Sequence, residues 1–290
     1  MRLGLLSYIN SLPVTWGMES RATGFQGELI AAQPSVLNRM TEELSLDVTP
    51  VSSIQWLRCF RDYRVVPGIG IASYGAVKSV QLFSRVPIKK LGREEVGVTG
   101  ASASSRMLLR ILKPHLTPVG LPLHPTAYEG GQTEHIFPKP YRAVLWIGDR
   151  ALDFSKNNHE WVDCLDLGQA WRELTGLPIV YALWLCQRSL DMAPVRAELE
   201  KSLSWGEAHR DEVLAEAQRR LPLTMHDLDQ YFLGLRYRVG ELEMEGLLEF
   251  YRRAALTGEV EPLEAAQQEE LRRNDESSFR ESPAGRATQL

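Results

Sequence analysis

The sequence predicts an α/β fold, and two observations support that prediction. Short apolar runs alternate with helical patterns through the first two thirds of the 290 residues, which is typical of mostly parallel strands covered by helices. The last third is helical in pattern. A hydrophobic fraction of 44% and a charged fraction of 24% are ordinary for a globular chain, and exclude a disordered, coiled-coil or collagen-like protein.

The elements of the first two thirds follow from apolar runs bounded by turn residues and from apolar positions at helical spacing. Strands are predicted at Arg2–Ser7, Glu28–Ala32, Asp47–Val48, Ile69–Tyr74, Val77–Ser84, Val96–Thr99, Ala143–Ile147 and Ile179–Cys186. Helices are predicted between them at Ser35–Leu44, Val51–Arg58, Ser104–Lys113 and Gly168–Thr175.

Three helices are predicted in the last third. Pro194 opens a run to about Leu221, because proline is favoured in a first helical turn. A second helix begins near Thr224, and a third spans Gly240 to about Leu256. From about residue 264 little apolar surface remains to offset the entropy of ordering, so we expect a frayed helix end and then a mobile tail.

The length allows one or two domains at roughly 150 residues each. Pro87 follows one long strand, and Cys186 ends another. If both residues mark crossovers, residues 87–185 form one lobe, and residues 1–86 plus 186–290 form the other. We therefore expect a discontinuous first lobe with an inserted second lobe.

Charge and cysteine content narrow the partners and the location. The 33 Lys and Arg residues are spread along a chain of net charge −4, which argues against nucleic acid as a partner. Three distant cysteines and six histidines without metal-ligand spacing predict neither a disulfide framework nor a metal site. The apolar run at Leu3–Leu6 is too short for a signal peptide or a membrane span, so a cytoplasmic protein without a membrane partner is expected.

Polar residues cluster where predicted strands end and helices begin. Ligands bind at the carboxyl ends of strands in open α/β sheets, and helix N-termini favour carboxylates. The strongest segment is 99–105, where a glycine and several hydroxyl residues precede a helix. The candidate residues in these segments are Asn10, Ser52, Ser53, Lys78, Ser79, Thr99, Ser102, Ser104, Ser105 and Asp149.

Each of these segments also has a purely structural explanation. Asn10, Thr49 and Asp149 could cap helices, and Lys78 could simply face solvent. No Walker loop, dinucleotide fingerprint, G-x-S-x-G elbow or acidic pair accompanies them. From the residues alone, we infer only a two-lobed α/β protein that binds a small carboxylate.

Taken together and in order, the segments between about residue 2 and residue 251 resemble one family. It is the menaquinone-biosynthetic chorismate dehydratases of the futalosine pathway. The resemblance rests on Ser7–Asn10 with Pro13, Asp47–Ile54, Val77–Val80 with Leu82, Ser84 and Pro87, Thr99 with Ser102–Ser105, Ile147–Asp149 with Ala151 and Leu152, Asp166–Gly168 with Trp171, Thr175–Pro178 and Trp184. The chain departs from the family pattern at Tyr74, Ala76, Ser104 and Arg142.

The resemblance implies a periplasmic-binding-protein type II fold, with a cleft between two α/β lobes. It also implies a lyase that converts chorismate to 3-[(1-carboxyvinyl)oxy]benzoate and water, with no cofactor and no metal. Asn10 would then be the catalytic residue that holds the reacting centre. Ser102, Ser104 and Ser105 would bind one substrate carboxylate, and Ser52 and Ser53 the other carboxylate or the ring hydroxyl. The remaining expected substrate-binding residues are Lys78, Ser79, Thr99 and Asp149.

Three alternatives remain open at this point. The sister 1,4-dihydroxy-6-naphthoate synthase shares the fold but usually opens with a Ser-Pro-Cys-Pro-Asn-Asp type motif, where this chain has Ser-Tyr-Ile-Asn. A solute-binding protein for a small carboxylate would bind its ligand without turnover. A regulatory ligand-sensing domain ranks last, because no basic helix-turn-helix accompanies the chain.

Overall fold

The computed structural model describes residues 1–91, 96–98, 102–116, 123–125, 141–157 and 160–280. The strands are β1 (Arg2–Leu6), β2 (Glu28–Ala32), β3 (Val48–Ser52), β4 (Tyr63–Ser73), β5 (Val80–Ser84), β6 (Val96–Val98), β7 (Leu123–Pro125), β8 (Ala143–Ile147), β9 (Asp163–Asp166), β10 (Ile179–Gln187) and β11 (Arg236–Arg238). The helices are α1 (Leu12–Glu19), α2 (Pro34–Glu42), α3 (Ser53–Cys59), α4 (Ala103–Leu116), α5 (Gly148–Asn157), α6 (Leu167–Thr175), α7 (Met192–Ala208), α8 (Arg210–Arg220), α9 (Met225–Leu233), α10 (Glu241–Leu256) and α11 (Ala265–Arg280).

The strands form two sheets, which confirms the predicted α/β class. The expectation of mostly parallel strands is wrong, because among the described pairs four are parallel and five are antiparallel. The larger sheet has the order β11-β4-β10-β3-β1-β2, and the smaller sheet the order β7-β6-β8-β5-β9. Strand β10 lies inside the larger sheet between β3 and β4, antiparallel to both. Eight of its nine residues are buried. A strand that is covered on both faces needs apolar side chains on both, which explains why its sequence is a nearly continuous apolar run. We call each sheet with its helices the larger and the smaller lobe.

The chain passes from the larger to the smaller sheet between Ser73 and Val80, and returns between Asp166 and Ile179. The expected lobe boundaries at 86/87 and 185/186 differ from this pairing, because β5 belongs to the smaller sheet and β10 to the larger. Pro87 follows β5 and Cys186 lies near the end of β10, whereas both crossovers come before these strands. The boundary residues were therefore placed one strand too late.

Asp166 connects the two crossover segments. Its carboxylate accepts the backbone N–H groups of Val77 at 3.0 Å and Lys78 at 2.6 Å, from the outgoing segment. It also accepts the N–H groups of Gly168 at 3.0 Å and Gln169 at 3.1 Å, and so caps α6 on the returning segment. One carboxylate thus satisfies four N–H donors, two from each connection.

The last third departs from the prediction in three places, the first being the short strand β11, where no strand was predicted. The predicted helix from Pro194 to about Leu221 is two helices, because the chain breaks at His209, whose ring stacks on Trp205. The expected frayed end and mobile tail from about residue 264 is wrong as far as residue 280, because α11 follows there.

Tertiary contacts explain α11 better than its composition does. Leu271 is fully buried, although it is one of few apolar residues in the helix. The carboxylate of Glu270 accepts the backbone N–H of Val65 on β4 at 3.0 Å and forms an ion pair with Arg188. Within the described part of the chain, no helix combines the length and hydropathy that crossing a membrane requires.

Candidate functional site

A cleft lies between the two sheets and encloses about 540 Å³, its open mouth included. Apolar residues of both lobes form much of the wall, among them Leu6 and Ile71 from the larger lobe and Ile147 from the smaller. The polar lining is contributed by Tyr8, Asn10, Ser52, Ser79, Ser102, Ser105 and Tyr181.

Asn10 reaches the cleft from a tight turn after β1. The turn Ile9–Ser11 is a single 3₁₀ turn, and the Ser11 hydroxyl donates to the carbonyl oxygens of Leu6 at 3.2 Å and Tyr8 at 3.1 Å. The Oδ1 atom of Asn10 is buried and has no hydrogen-bond partner among the described residues. A buried polar atom left without a partner costs free energy, so this amide is ready for a ligand.

Ser52 is the second unpartnered polar residue in the cleft. It ends β3 and occupies the N-cap position of α3, but its hydroxyl makes no capping hydrogen bond. The Oγ atom is buried without a partner in the described structure. Ser52 therefore does not cap α3 with its side chain, and Thr49, the cap that the sequence left open, lies inside β3.

Ser53 and Ser104 form a hydrogen bond with each other and do not line the cleft. Their hydroxyl oxygens are 2.8 Å apart, and the Ser53 hydroxyl donates to the carbonyl of Val180 at 2.9 Å. The backbone N–H of Ile54 donates to Ser104 Oγ at 3.1 Å. This chain of hydrogen bonds joins α3 of the larger lobe to α4 of the smaller, and substrate binding by either serine stays a prediction.

Ser102 and Ser105 both line the cleft at the N-terminus of α4. The backbone N–H of Ser105 donates to Ser102 Oγ at 3.2 Å, so Ser102 caps the helix. The Ser102 hydroxyl donates to Ser105 Oγ at 3.0 Å. The proton of Ser105 is thereby left for the cleft, at the positive end of a 14-residue helix. Thr99, expected beside them, lies outside the described residues.

Lys78 and Ser79 are neighbours with different surroundings. Ser79 lines the cleft, and its hydroxyl oxygen accepts the phenol O–H of Tyr231 at 3.0 Å. Lys78 has a left-handed φ of 62°, its backbone N–H is bound to Asp166, and its side chain is exposed outside the cleft lining. A direct substrate contact from Lys78 stays a prediction.

Asp149 supports the site from behind and is not part of the cleft lining. It lies in the first turn of α5, where its carboxylate accepts the backbone N–H of Ile9 at 3.1 Å and caps nothing in its own helix. Burial raises the pKa of Asp149 to about 7, while the Ile9 N–H and Arg220 act in the opposite direction. The helix-cap interpretation is therefore wrong.

Three tyrosines of the site were missed as functional candidates. Tyr8 and Tyr181 line the cleft, the phenol oxygen of Tyr181 lies 3.0 Å from Ser73 Oγ, and Tyr231 reaches Ser79. Burial is the largest cause that raises the pKa of each phenol, so all three remain protonated donors. Tyr181 sits in an apolar strand and Tyr231 on an apolar helix face, where a sequence pattern indicates core.

The site consists of amide and hydroxyl groups set in an apolar wall. Such neutral donors hold anionic groups and hydroxyls without adding a charge. The described residues contain no group of three or more His, Cys, Asp or Glu arranged to hold a metal ion.

The fold has many solved relatives. A protein of Archaeoglobus fulgidus superposes with a TM-score of 0.73 at 18% identity, over 89% of this chain and 98% of that one. A Candida albicans gene product described as having the generic periplasmic binding protein fold gives a TM-score of 0.66 at 9% identity, over 94% and 95%. The periplasmic aliphatic sulphonate binding protein of Escherichia coli gives 0.58 at 17%, over 89% and 91%. These similarities confirm the predicted periplasmic-binding-protein-like fold.

Sequence comparison shows the family of this chain, whereas the structural similarities show only its fold. A curated protein of Thermus thermophilus named chorismate dehydratase is 29% identical over 265 residues, which covers 86% of this chain and 93% of that protein. The profile of one family, described as menaquinone biosynthesis, matches residues 1–256. The chain therefore belongs to the menaquinone biosynthesis family.

Proposed function

We propose that this protein is a chorismate dehydratase, a hydro-lyase that converts chorismate to 3-[(1-carboxyvinyl)oxy]benzoate and water. The observation that carries the proposal is the pair of buried, unpartnered polar groups in the cleft, Asn10 Oδ1 and Ser52 Oγ. Family membership and the name of the Thermus relative supply the substrate. The cytoplasmic location expected from the sequence stays a prediction.

The chemistry requires orientation more than a strong protein base. The C3–H bond of chorismate is acidified through a ring double bond conjugated to the ring carboxylate. Loss of that proton and of the C4 hydroxyl gives water and an aromatic ring. The proton acceptor in this proposal is the enolpyruvyl carboxylate of the substrate itself, since neither amide nor hydroxyl side chains are basic. Fixed donors around the ring carboxylate would stabilise the anion that forms.

We assign roles to the cleft residues by which of their polar atoms have no hydrogen-bond partner among the described residues. Within the described residues, the hydroxyl proton of Ser105 at the N-terminus of α4 has no acceptor, which suits a carboxylate of the substrate. Ser52 suits the second carboxylate or the ring hydroxyl. The amide of Asn10 holds the C4 hydroxyl at the reacting centre. In this assignment Ser53, Ser104 and Asp149 hold the lobes and the Asn10 turn instead of touching the substrate.

The test is incubation of the purified protein with chorismate, followed by mass spectrometry for a product lighter by one water. We expect turnover by the wild type and a loss of roughly 100-fold or more in Asn10→Ala, with chorismate still bound. Asn157→Ala is the matched control, because Asn157 is exposed on α5 and its amide donates to Asp153, away from the cleft lining.

Two other outcomes would contradict the proposal. Chorismate bound but unchanged would indicate a binding protein for small carboxylates. Absence of both binding and turnover would favour the sister 1,4-dihydroxy-6-naphthoate synthase activity. Full turnover by Asn10→Ala would refute the role given to Asn10 while leaving the reaction intact.

A further inference from the structure

Ser79 is the cleft hydroxyl whose surroundings are most completely defined. It precedes β5, is 3% exposed and lines the cleft. Its backbone carbonyl accepts the N–H of Gly148 at 2.7 Å, so its position is tied to the start of α5. Its hydroxyl oxygen accepts the phenol O–H of Tyr231 at 3.0 Å.

The direction of that hydrogen bond determines where the Ser79 proton goes. A serine hydroxyl has one proton to donate and lone pairs to accept. Because Ser79 Oγ is the acceptor for Tyr231, its own proton is free, and no described residue receives it. Tyr231 is buried and burial raises its phenol pKa well above the usual value, so the phenol acts as a donor throughout the physiological range.

Helix α9 is itself fixed relative to both lobes. The Thr224 hydroxyl caps its N-terminus by accepting the N–H of Asp227 at 3.1 Å. The Asp227 carboxylate bonds to Lys156 of α5 at 2.7 Å. Arg210 of α8 donates to Asp229 of α9 at 2.8 Å, and Arg220 of α8 pairs with Glu19 of α1 at 2.7 Å. Tyr231 therefore approaches Ser79 from an element that is tied to the larger lobe through α8 and to the smaller lobe through Lys156.

We propose that Tyr231 is a positioning residue: by donating to Ser79 it commits the proton of that serine to the anionic substrate in the cleft. The inference rests on the proposed function for the identity of the substrate. A hydroxyl that already accepts one hydrogen bond is a better donor of the next, so the bond from Tyr231 strengthens Ser79 as a donor. Because Tyr231 lies on α9, the C-terminal helices take part in the site. The group on the substrate would be a carboxylate or the negative charge that develops during elimination.

The experiment is a double-mutant cycle with Tyr231→Phe and Ser79→Ala, measured as kcat and KM for chorismate. We expect Tyr231→Phe to lower kcat about tenfold with little change in KM. Ser79→Ala should lower it roughly 100-fold. The double variant should be no worse than Ser79→Ala alone, because Tyr231 acts only through that hydroxyl.

Tyr63→Phe is the matched control. It removes another fully buried phenol, one that donates to the carbonyl of Leu46 at 2.6 Å far from the cleft lining. It should lower the melting temperature by an amount similar to Tyr231→Phe and leave kcat unchanged. An equal loss of kcat in Tyr63→Phe would attribute the Tyr231 effect to destabilisation.

Other outcomes separate this inference from the proposed function. Unchanged kcat in Tyr231→Phe, or losses that multiply in the double variant, would overturn the role of Tyr231 and leave the dehydratase standing. If the wild type binds chorismate without turnover, the dehydratase fails and the same cycle on chorismate affinity decides the role of Tyr231. If it does not bind chorismate, both are overturned.

Discussion

The carboxylate of Asp149 accepts the backbone N–H of Ile9 at 3.1 Å, across 140 positions of sequence. This hydrogen bond connects the first turn of α5 in the smaller lobe to the turn that carries Asn10 in the larger. The backbone before Asn10 is thus held by a residue from the opposite side of the cleft. The free energy of this contact depends on the ionisation of a buried carboxyl group.

The free energy of unfolding should change with pH because Asp149 ionises at a different pH in the folded and unfolded states. Burial raises its pKa from 3.8 to about 7, so between these values the folded state binds more protons than the unfolded state. Its contribution to stability is therefore fully present below about pH 4 and is lost as the pH rises to 7. Between about pH 4 and pH 7, the unfolding free energy of Asp149→Asn should rise relative to that of the wild type by at most about 4 kcal/mol. Urea unfolding at several pH values measures this, and parallel curves for the two proteins would contradict it.

Ser104→Ala and Ser52→Ala should separate a lobe contact from a ligand contact. Ser104→Ala leaves the buried N–H of Ile54 without its partner and should cost about 1–3 kcal/mol of unfolding free energy. Ser52→Ala removes no hydrogen bond among the described residues, so it should be near neutral in stability but weaken chorismate binding. Denaturant unfolding and titration calorimetry measure the two effects, with exposed Ser204→Ala as the control. The reverse pattern would refute the division of roles.

Gly168→Ala should be strongly destabilising. A Cβ atom at this position would lie 2.5 Å from the carbonyl oxygen of Gly75 and 2.6 Å from the phenol oxygen of Tyr181, closer than any real contact. We expect a loss of about 2 kcal/mol or more, since the clash falls on backbone. Gly240→Ala is the control, where the nearest atom is 3.7 Å away. Equal melting temperatures for the two variants would show that the crossover segments shift to accommodate the added Cβ atom without loss of stability.

Helix α11 should contribute measurably to stability. Leu271 is fully buried, whereas Leu256 at the end of α10 is 76% exposed. Leu271→Ala should cost about 2–4 kcal/mol of unfolding free energy, and Leu256→Ala close to nothing. Chemical denaturation of both variants provides the comparison. A neutral Leu271→Ala would mean that α11 is only loosely attached in solution.

Local patterns predicted elements better than they predicted partners. Strands Glu28–Ala32 and Ala143–Ile147 match the prediction to the residue, because each is an apolar run between turn residues. The lobe boundaries and α11 were misplaced, since both depend on which segments pair or pack across the molecule. No local pattern states that β5 pairs with β8 or that Leu271 is buried.

The site shows the same distinction. The polar segments at strand ends supplied Asn10, Ser52, Ser79, Ser102 and Ser105, which all line one cleft, and their binding of substrate stays a prediction. Which hydroxyls are free could not be predicted, because that depends on hydrogen bonds between distant segments, such as the one from Tyr231 to Ser79. The tyrosines were missed for the same reason.

The four N–H groups held by Asp166 have a consequence for the motion of the lobes. Two independent connections would let the smaller lobe twist as well as tilt against the larger. Here both connections share one anchor, and we expect it to restrict the twist and to favour rotation about an axis close to Asp166. Closure about one axis would return Ser105 and Asn10 to the same relative placement, so we expect the accuracy of the site to be set at this anchor.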